Sequence, residues 1–407
     1  MVDQRTDAII TLRKASRYTV LAPGDEAYEE LRPAYAAAGE PAGIVRPRSA
    51  EEVSELVRFA SAAGLPVSVR SGGHGAAAFA NPGGLVIDLG ELAAIEADAD
   101  GLVRIGGGAT WGAVADRLAA AGLGLTSGDT RSVGVGGLTL GGGIGWLVRK
   151  HGLALDSLVA AQVVLADGRI VDASAAEHAD LFWALRGGGG NFGVVTRFTF
   201  QAHSLPGVVF GTFAFALESL PAVLRGWRDV LRQAPEELTV TLMAMPAFGE
   251  APPSVQLLGC WAGTDVEAAE AAMAPLQALP GLLSAEVAPA SYPDLLEDPP
   301  PPPPGPVTMV DANGFVRDLS DELLDEVVTV HGRIAAPVLM LRSLGGAFGR
   351  IPADATAFAH RDAEALLILI AILPPDAEPA TVQETRRLWE PIAPHVAGAY
   401  GNFSMTA

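Results

Sequence analysis

His74 stands between glycines, in the run Arg70-Ser71-Gly72-Gly73-His74-Gly75. A neutral imidazole is a nucleophile near physiological pH, and the glycines on either side let it lie against a bound ring. Three more glycine segments follow: Gly106-Gly107-Gly108, the stretch from Gly134 to Gly145 reading GVGGLTLGGGIG, and Gly187-Gly188-Gly189-Gly190-Asn191-Phe192-Gly193. Glycine weakens regular structure by about 0.5–1 kcal/mol per residue relative to alanine, so four such clusters need a physical reason. Consecutive backbone N–H groups without side chains can turn inward and form concave nests that bind anions, phosphates above all. The nests are not those of a Rossmann fold, because Thr139 stands where the third glycine of GxGxxG belongs. Nor does the chain contain a GxxxxGK[ST] loop for ATP.

The elements that must position these loops are readable around them. Ser49 followed by Glu52 is a capping box, Val53, Leu56, Val57 and Ala60 repeat at helical spacing, and Gly64 is a stop. PVSVR, LVIDL and LVRIG read as short strands, and TWGAVADRLAAAG as an amphipathic helix ended by glycine. AQVVLADGRIVDAS reads as a β-hairpin turning at Asp167-Gly168, DLFWALR as a short helix and FGVVTRFTFQAH as a strand. Further on, strand-like runs (VVFGTFAFAL, LTVTLMAM, SVQLLGCWAG, EALLILIAIL) alternate with helical ones (VEAAEAAMAPLQAL, DELLDEVVTVHGRI). The irregular alternation predicts an α+β fold whose second part is an antiparallel sheet backed by helices. The run Pro299 to Pro304 predicts an exposed polyproline II loop.

Of the 47 glycines, 28 lie between Gly72 and Gly193, and 24 of the 30 prolines lie at Pro206 or later. That shift predicts two domains, 1–205 and 206–407, in a chain of 407 residues. Apolar residues make up 49 % and charged residues 18 %, enough for a buried core. The formal net charge of −20 repels phosphodiester backbones, so nucleic acid is not an expected partner. No run of apolar residues reaches the roughly 18 needed for a membrane span, and no secretory signal is visible. The single cysteine, Cys260, allows no intrachain disulfide and no cysteine-based zinc or iron–sulfur site. Together these features predict a cytoplasmic protein.

RSGGHG, GVGGLTLGGGIGWL, HGLALDSL, VLADGRIVDAS and DLFWALRGGGGNFGVVTRF together resemble the berberine-bridge-enzyme-like flavoprotein oxidases of the vanillyl-alcohol-oxidase superfamily. The likeness is dense over about residues 40–205 and thinner through LGGAFGR, TAFAHRDA and AYGNF. It implies a PCMH-type FAD-binding domain and a substrate domain. It implies FAD held by Arg70, Ser71, Gly72, Gly73 and Gly75, with His74 bonded covalently to the flavin 8α carbon. It extends the cofactor site to Asp129, Thr130 and Val133, to Gly134, Gly136, Gly137, Leu138, Gly141, Gly142, Gly143 and Gly145, and to Gly193 and Val195. Thr130 occupies the position where many members bind flavin C6 through a cysteine, which implies a single covalent bond here. Val133 matches the small residue that leaves oxygen access to the flavin, which implies an oxidase.

Members often take a tyrosine from a Y-x-N-[FY] motif as the base. Here that is Tyr400-Gly401-Asn402-Phe403, and Tyr400 is the expected catalytic phenol. Ile144 stands where some members have a second tyrosine. His151, His360 and the carboxylate Asp311 are the alternatives, and Tyr292 is a weaker phenol. Members also run on beyond the motif and return to the FAD domain, whereas this sequence stops at Ala407, so that return is expected to be missing. The expected function is FAD-dependent oxidation of a small alcohol, sugar or secondary metabolite with O2 as acceptor. A non-catalytic flavin-binding or truncated remnant protein is the alternative.

Overall fold

The structure is a computed structural model that describes residues 2–15, 17–33, 39–75, 82–247, 252–298, 308–334 and 336–404. The polyproline run Pro299 to Pro304 lies outside the described residues. In chain order the strands are β1 (Thr19–Leu21), β2 (Gly43–Arg46), β3 (Val67–Arg70), β4 (Leu85–Asp88), β5 (Ile95–Ala97), β6 (Leu102–Gly106) and β7 (Leu123–Gly124). They continue as β8 (Leu158–Val164), β9 (Ile170–Ser174), β10 (Val194–Gln201), β11 (His203–Ser204), β12 (Val208–Ala216) and β13 (Leu238–Met245). The last six are β14 (Ser254–Trp261), β15 (Leu282–Ala290), β16 (Thr308–Val316), β17 (Pro337–Ser343), β18 (Ala365–Leu373) and β19 (Val396–Ala397).

Besides the small pair of β7 and β11, two sheets come from the glycine-rich half. One has the order β1-β2-β4-β3, with β2 and β3 both parallel to β4. The other is antiparallel, β5-β6-β10-β8-β9, and contains the expected hairpin of β8 and β9. The helix Ala50–Ala62 lies between them. Ser49 accepts from the Glu52 N–H, and Glu52 reaches back to the Arg48 N–H. Val53, Leu56 and Ala60 are buried against Val45, Leu85 and Ile87 of the first sheet and Val164 and Val194 of the second. The helical spacing thus glues two sheets through one apolar face.

All strands from β12 to β19 join one antiparallel sheet, β15-β12-β14-β13-β17-β18-β16-β19. Its two faces do different work. One carries Val240, Leu242, Leu257, Leu339, Leu341, Leu367 and Leu369 under the helices Leu220–Gln233, Val266–Gln277 and Asp321–Arg333. The other turns Phe315, Ile368 and Met340 onto Ile144, Val148, Leu153 and Leu155 of the glycine-rich half. Strand residues alternate between faces, so Asp311, Asn313 and Phe315 share that inner face. The helix Leu220–Gln233 was not among the elements expected, although Leu220, Val223, Leu224, Trp227 and Leu231 form its buried stripe.

Within the segment from Gly134 to Gly145, Val135–Gly141 is a short helix, followed by a turn at Gly142 and Gly143 with φ of 144° and 91°. A side chain at either of those positions would be strained.

Candidate functional site

The first glycine loop and the short helix touch backbone to backbone. A Cβ at Gly72 would run into the Gly134 N, and one at Gly134 into the Gly72 N. Ser71 pins the pair, donating to Gly107 O at 2.6 Å and accepting from Gly136 N at 3.2 Å. Gly107 in turn presses on Val195 O, at the start of β10, next to Gly193 with its φ of 143°. Three of the four glycine clusters therefore meet at one place. Gly137 faces open space there, because a Cβ on it would meet nothing. Arg70 is engaged below the loop, donating to Leu31 O and Pro33 O at 2.7 Å and lying 3.4 Å from Asp88. Gly75 is exposed at the outer end of the loop.

His74 is half-buried, with Nε2 2.7 Å from Ser132 Oγ. Ser132 donates from both its backbone N and its hydroxyl to Asp298 Oδ1, at 2.9 and 2.5 Å. Burial pushes the His74 imidazole below its usual pKa; the Asp298 carboxylate opposes this and Arg70 adds to it. The hydroxyl and amide of Ser132 hold Asp298 below the usual carboxylate range. Neighbouring Thr130 and Val133 are half-buried, and Val133 accepts from Trp111 N at 2.9 Å through its carbonyl. Asp129 is bonded to Arg342, which reaches from the inner face of β17 and lies 5.2 Å over the Phe403 ring. Cys260 is buried with Trp146, Leu147 and Tyr292 in a separate apolar cluster.

At the far end of the short helix sits Tyr400. Its phenol oxygen accepts from Gly143 N and from Asn402 Nδ2, both at 2.9 Å. Asn402 also donates to Leu138 O at 3.1 Å, and Asn313 accepts the Tyr400 N–H at 2.6 Å. A Cβ at Gly141 would collide with the Asn402 amide, and one at Gly142 would crowd Tyr400 and Phe358. At Gly145 it would collide with Ser127 O. Tyr400 is 3 % exposed, among Ile144, Phe315 and Phe358. Burial raises its pKa; the Gly143 N–H, the Asn402 amide, the Ile144 N–H and Arg342 pull the other way without reversing it.

The two histidines named as alternatives lie in packed surroundings. His151 is stacked on His203 with ring centroids 4.0 Å apart, and its pKa falls to about 4 through burial, then His203 and Lys150. His360 is stacked 4.7 Å from Phe315. Asp311 is half-buried on the inner face of β16, opposite Ile370. Tyr292 is buried and bonded to Ser127 Oγ at 2.8 Å. The groups the sequence did not disclose are Ser132, Asp298, Arg342 and Asn313. Only Asn402, inside the tyrosine motif, carried a local signal.

These residues fit FAD. Gly72 and Gly134 pack backbone to backbone without side chains, and the open face at Gly137 leaves room beside them. An imidazole stands at the rim of the same loop pair.

The comparisons agree. Residues 41–174 match the FAD binding domain family. The (R)-6-hydroxynicotine oxidase of Paenarthrobacter nicotinovorans is 36 % identical over 261 residues, 63 % of this chain and 57 % of that protein. The FAD-linked oxidoreductase pgmH of Aspergillus terreus is 32 % identical over 343 residues, 78 % of this chain and 68 % of that protein. The structure of BBE-like 1 of Physcomitrella patens superposes with a TM-score of 0.87 at 22 % identity, covering 98 % of this chain and 90 % of that one, which is a likeness of fold. The chain spans about half the length of several of the curated relatives it matches. On the FAD-binding match and a relative covered over two thirds of its length, the chain belongs to the FAD-linked oxidoreductases.

Proposed function

We propose that this protein is a flavoprotein oxidase that removes a hydride from a small molecule and passes the electrons to O2. FAD supplies the electron acceptor. The observation that carries the reading is the contact of the Ser71–Gly75 loop with the Gly134–Gly145 segment, with Gly137 facing open space and His74 bonded to Ser132 just before that segment. In this reading residues 1–205 hold the cofactor, and the sheet of residues 206–407 covers it with its inner face. His74 is the single covalent anchor, since Thr130 replaces the second attachment residue and Cys260 is buried elsewhere. Val133 is the small residue beside the reactive edge that admits oxygen.

In this reading Tyr400, the expected base, has a structural role instead. A buried phenol with a raised pKa is a poor proton acceptor at neutral pH. Its oxygen accepts from Gly143 and Asn402, so Tyr400 braces the turn behind the cofactor loop. We assign proton removal instead to Asp311, the carboxylate on the inner face of the sheet. The substrate is a small alcohol, sugar or secondary metabolite. The relative named as a hydroxynicotine oxidase favours including cyclic amines among the candidates.

The test is direct. The purified protein is expected to show the visible absorption of bound flavin. Anaerobic addition of a substrate from an alcohol, sugar and amine panel is expected to bleach it, and air is expected to restore it with peroxide release. A flavin that no panel member bleaches would oppose the oxidase reading.

A further inference from the structure

We propose that Ser132 and Asp298 form a proton relay that orients His74 and takes up the proton released when its bond to the flavin forms. The proposal rests on the His74 attachment above but concerns different residues. A serine hydroxyl has one proton to give. Ser132 gives it to Asp298 Oδ1, 2.5 Å away, and an ionised carboxylate only accepts. Ser132 Oγ must then accept from His74, 2.7 Å away, so Nε2 carries the imidazole proton. That tautomer puts the nucleophilic lone pair on Nδ1.

The relay is built into the joint between two loops far apart in sequence. Ser132 lies just before the short helix Val135–Gly141, and Asp298 follows the turn after β15. The loops are zipped together on both sides of the pair. Arg131 donates to Pro293 O at 3.0 Å, and Glu297 N donates to Asp129 O at 3.1 Å. Asp298 is exposed and can pass a proton to water.

Nδ1 bonds to the 8α carbon as one methyl C–H bond breaks, and the methyl proton goes to water. The electron pair of that C–H bond stays on the isoalloxazine until dioxygen takes it, with two protons, as hydrogen peroxide. Alkylation makes the imidazole positive and its Nε2 proton acidic. That proton passes to Ser132 as the Ser132 proton passes to Asp298. Positioned proton transfer is worth about 10²–10⁴-fold, so loss of the relay should slow attachment at least about tenfold. Both groups are positioning residues: they act through His74.

The experiment mixes full-length apoprotein with FAD and follows, over time, the flavin that stays with acid-precipitated protein. Flavin retained on gel filtration before acid treatment reports non-covalent binding. Ser132→Ala and Asp298→Asn should bind FAD like the wild type and attach it at least about tenfold more slowly, and Ser132→Thr should restore the rate. Attachment at the wild-type rate in both slow candidates, with His74→Ala blocked, would overturn the relay and leave the His74 assignment standing. Attachment in His74→Ala would overturn the assignment itself. Failure of Ser132→Thr to restore the rate would also count against the relay.

Discussion

At the scale of single residues, the phenol and the carboxylate are separated by their surroundings. Tyr400 gives its oxygen to two N–H donors in an aromatic cluster, and Asp311 stands half-buried on a sheet face. Asp311→Asn should lower the anaerobic rate of flavin reduction by about 10²–10⁴-fold with FAD content unchanged. Tyr400→Phe leaves the Gly143 N–H and the Asn402 amide without that acceptor. It should cost about 1–3 kcal/mol of stability in urea unfolding, and the reduction rate should fall far less than in Asp311→Asn. If Tyr400→Phe alone abolished reduction, the phenol would be the base and Asp311 would not. Val133 makes a separate prediction. Val133→Leu should slow reoxidation of the reduced enzyme in stopped flow while reduction by substrate stays near wild type; equal reoxidation rates would remove Val133 from the oxygen path.

At the scale of elements, the glycine clusters were legible because their cost demands a ligand or a close approach. Here the close approach is seen where Gly72 and Gly134 meet backbone to backbone, while Gly137 faces open space. The short helix Val135–Gly141 was not legible, because Gly136 and Gly137 argue against helix by propensity and only packing overrides it. Ser132 and Asp298 were hidden for another reason: 166 residues separate them, and nothing local marks either one. The stacked pair of His151 and His203 was likewise invisible until β11 folded back. His203 is bonded to Ser157 at 2.9 Å, and Lys150 and Glu236 are the charges that act on His151. Both imidazoles are held below their usual pKa by burial. Unfolding lets them protonate near pH 6.5, whereas folded His151 waits until about 4. Their contribution to stability is therefore full above about 6.5 and is lost as the pH falls toward 4. Tm should drop between pH 7 and pH 5, and less steeply in His151→Gln. The same slope in both proteins would show that the pair is not responsible.

At the scale of the whole molecule, the cofactor half and the eight-stranded sheet are held together by buried polar links as well as by apolar packing. Arg361 grips Asp156 with two bonds of 2.7 and 2.8 Å, and the two side chains are 3 % and 7 % exposed. Arg149 donates to Leu344 O at 2.6 Å and to Ala234 O at 3.1 Å. Removing one partner of a buried pair costs about 3–5 kcal/mol, because the other charge is stranded. Arg361→Met should destabilise by that order in urea unfolding, and Asp156→Asn in the same chain should recover part of it. Additive losses would mean that the pair is not coupled. The shift from glycine to proline near residue 205 is the sequence signal for two units; among the described residues, no sheet mixes strands from before and after it. The inner face of the sheet was not readable from composition, since it depends on which residues alternate inward and what they meet. Among the described residues no helix is long and apolar enough to cross a membrane.

The central claim is that this chain carries FAD on His74, and acid precipitation of the purified protein tests it most directly. The wild-type pellet, redissolved, should keep its flavin absorption, while His74→Ala should release all of its flavin to the supernatant. A colourless wild-type pellet, or flavin that stays with the His74→Ala pellet, would contradict the account.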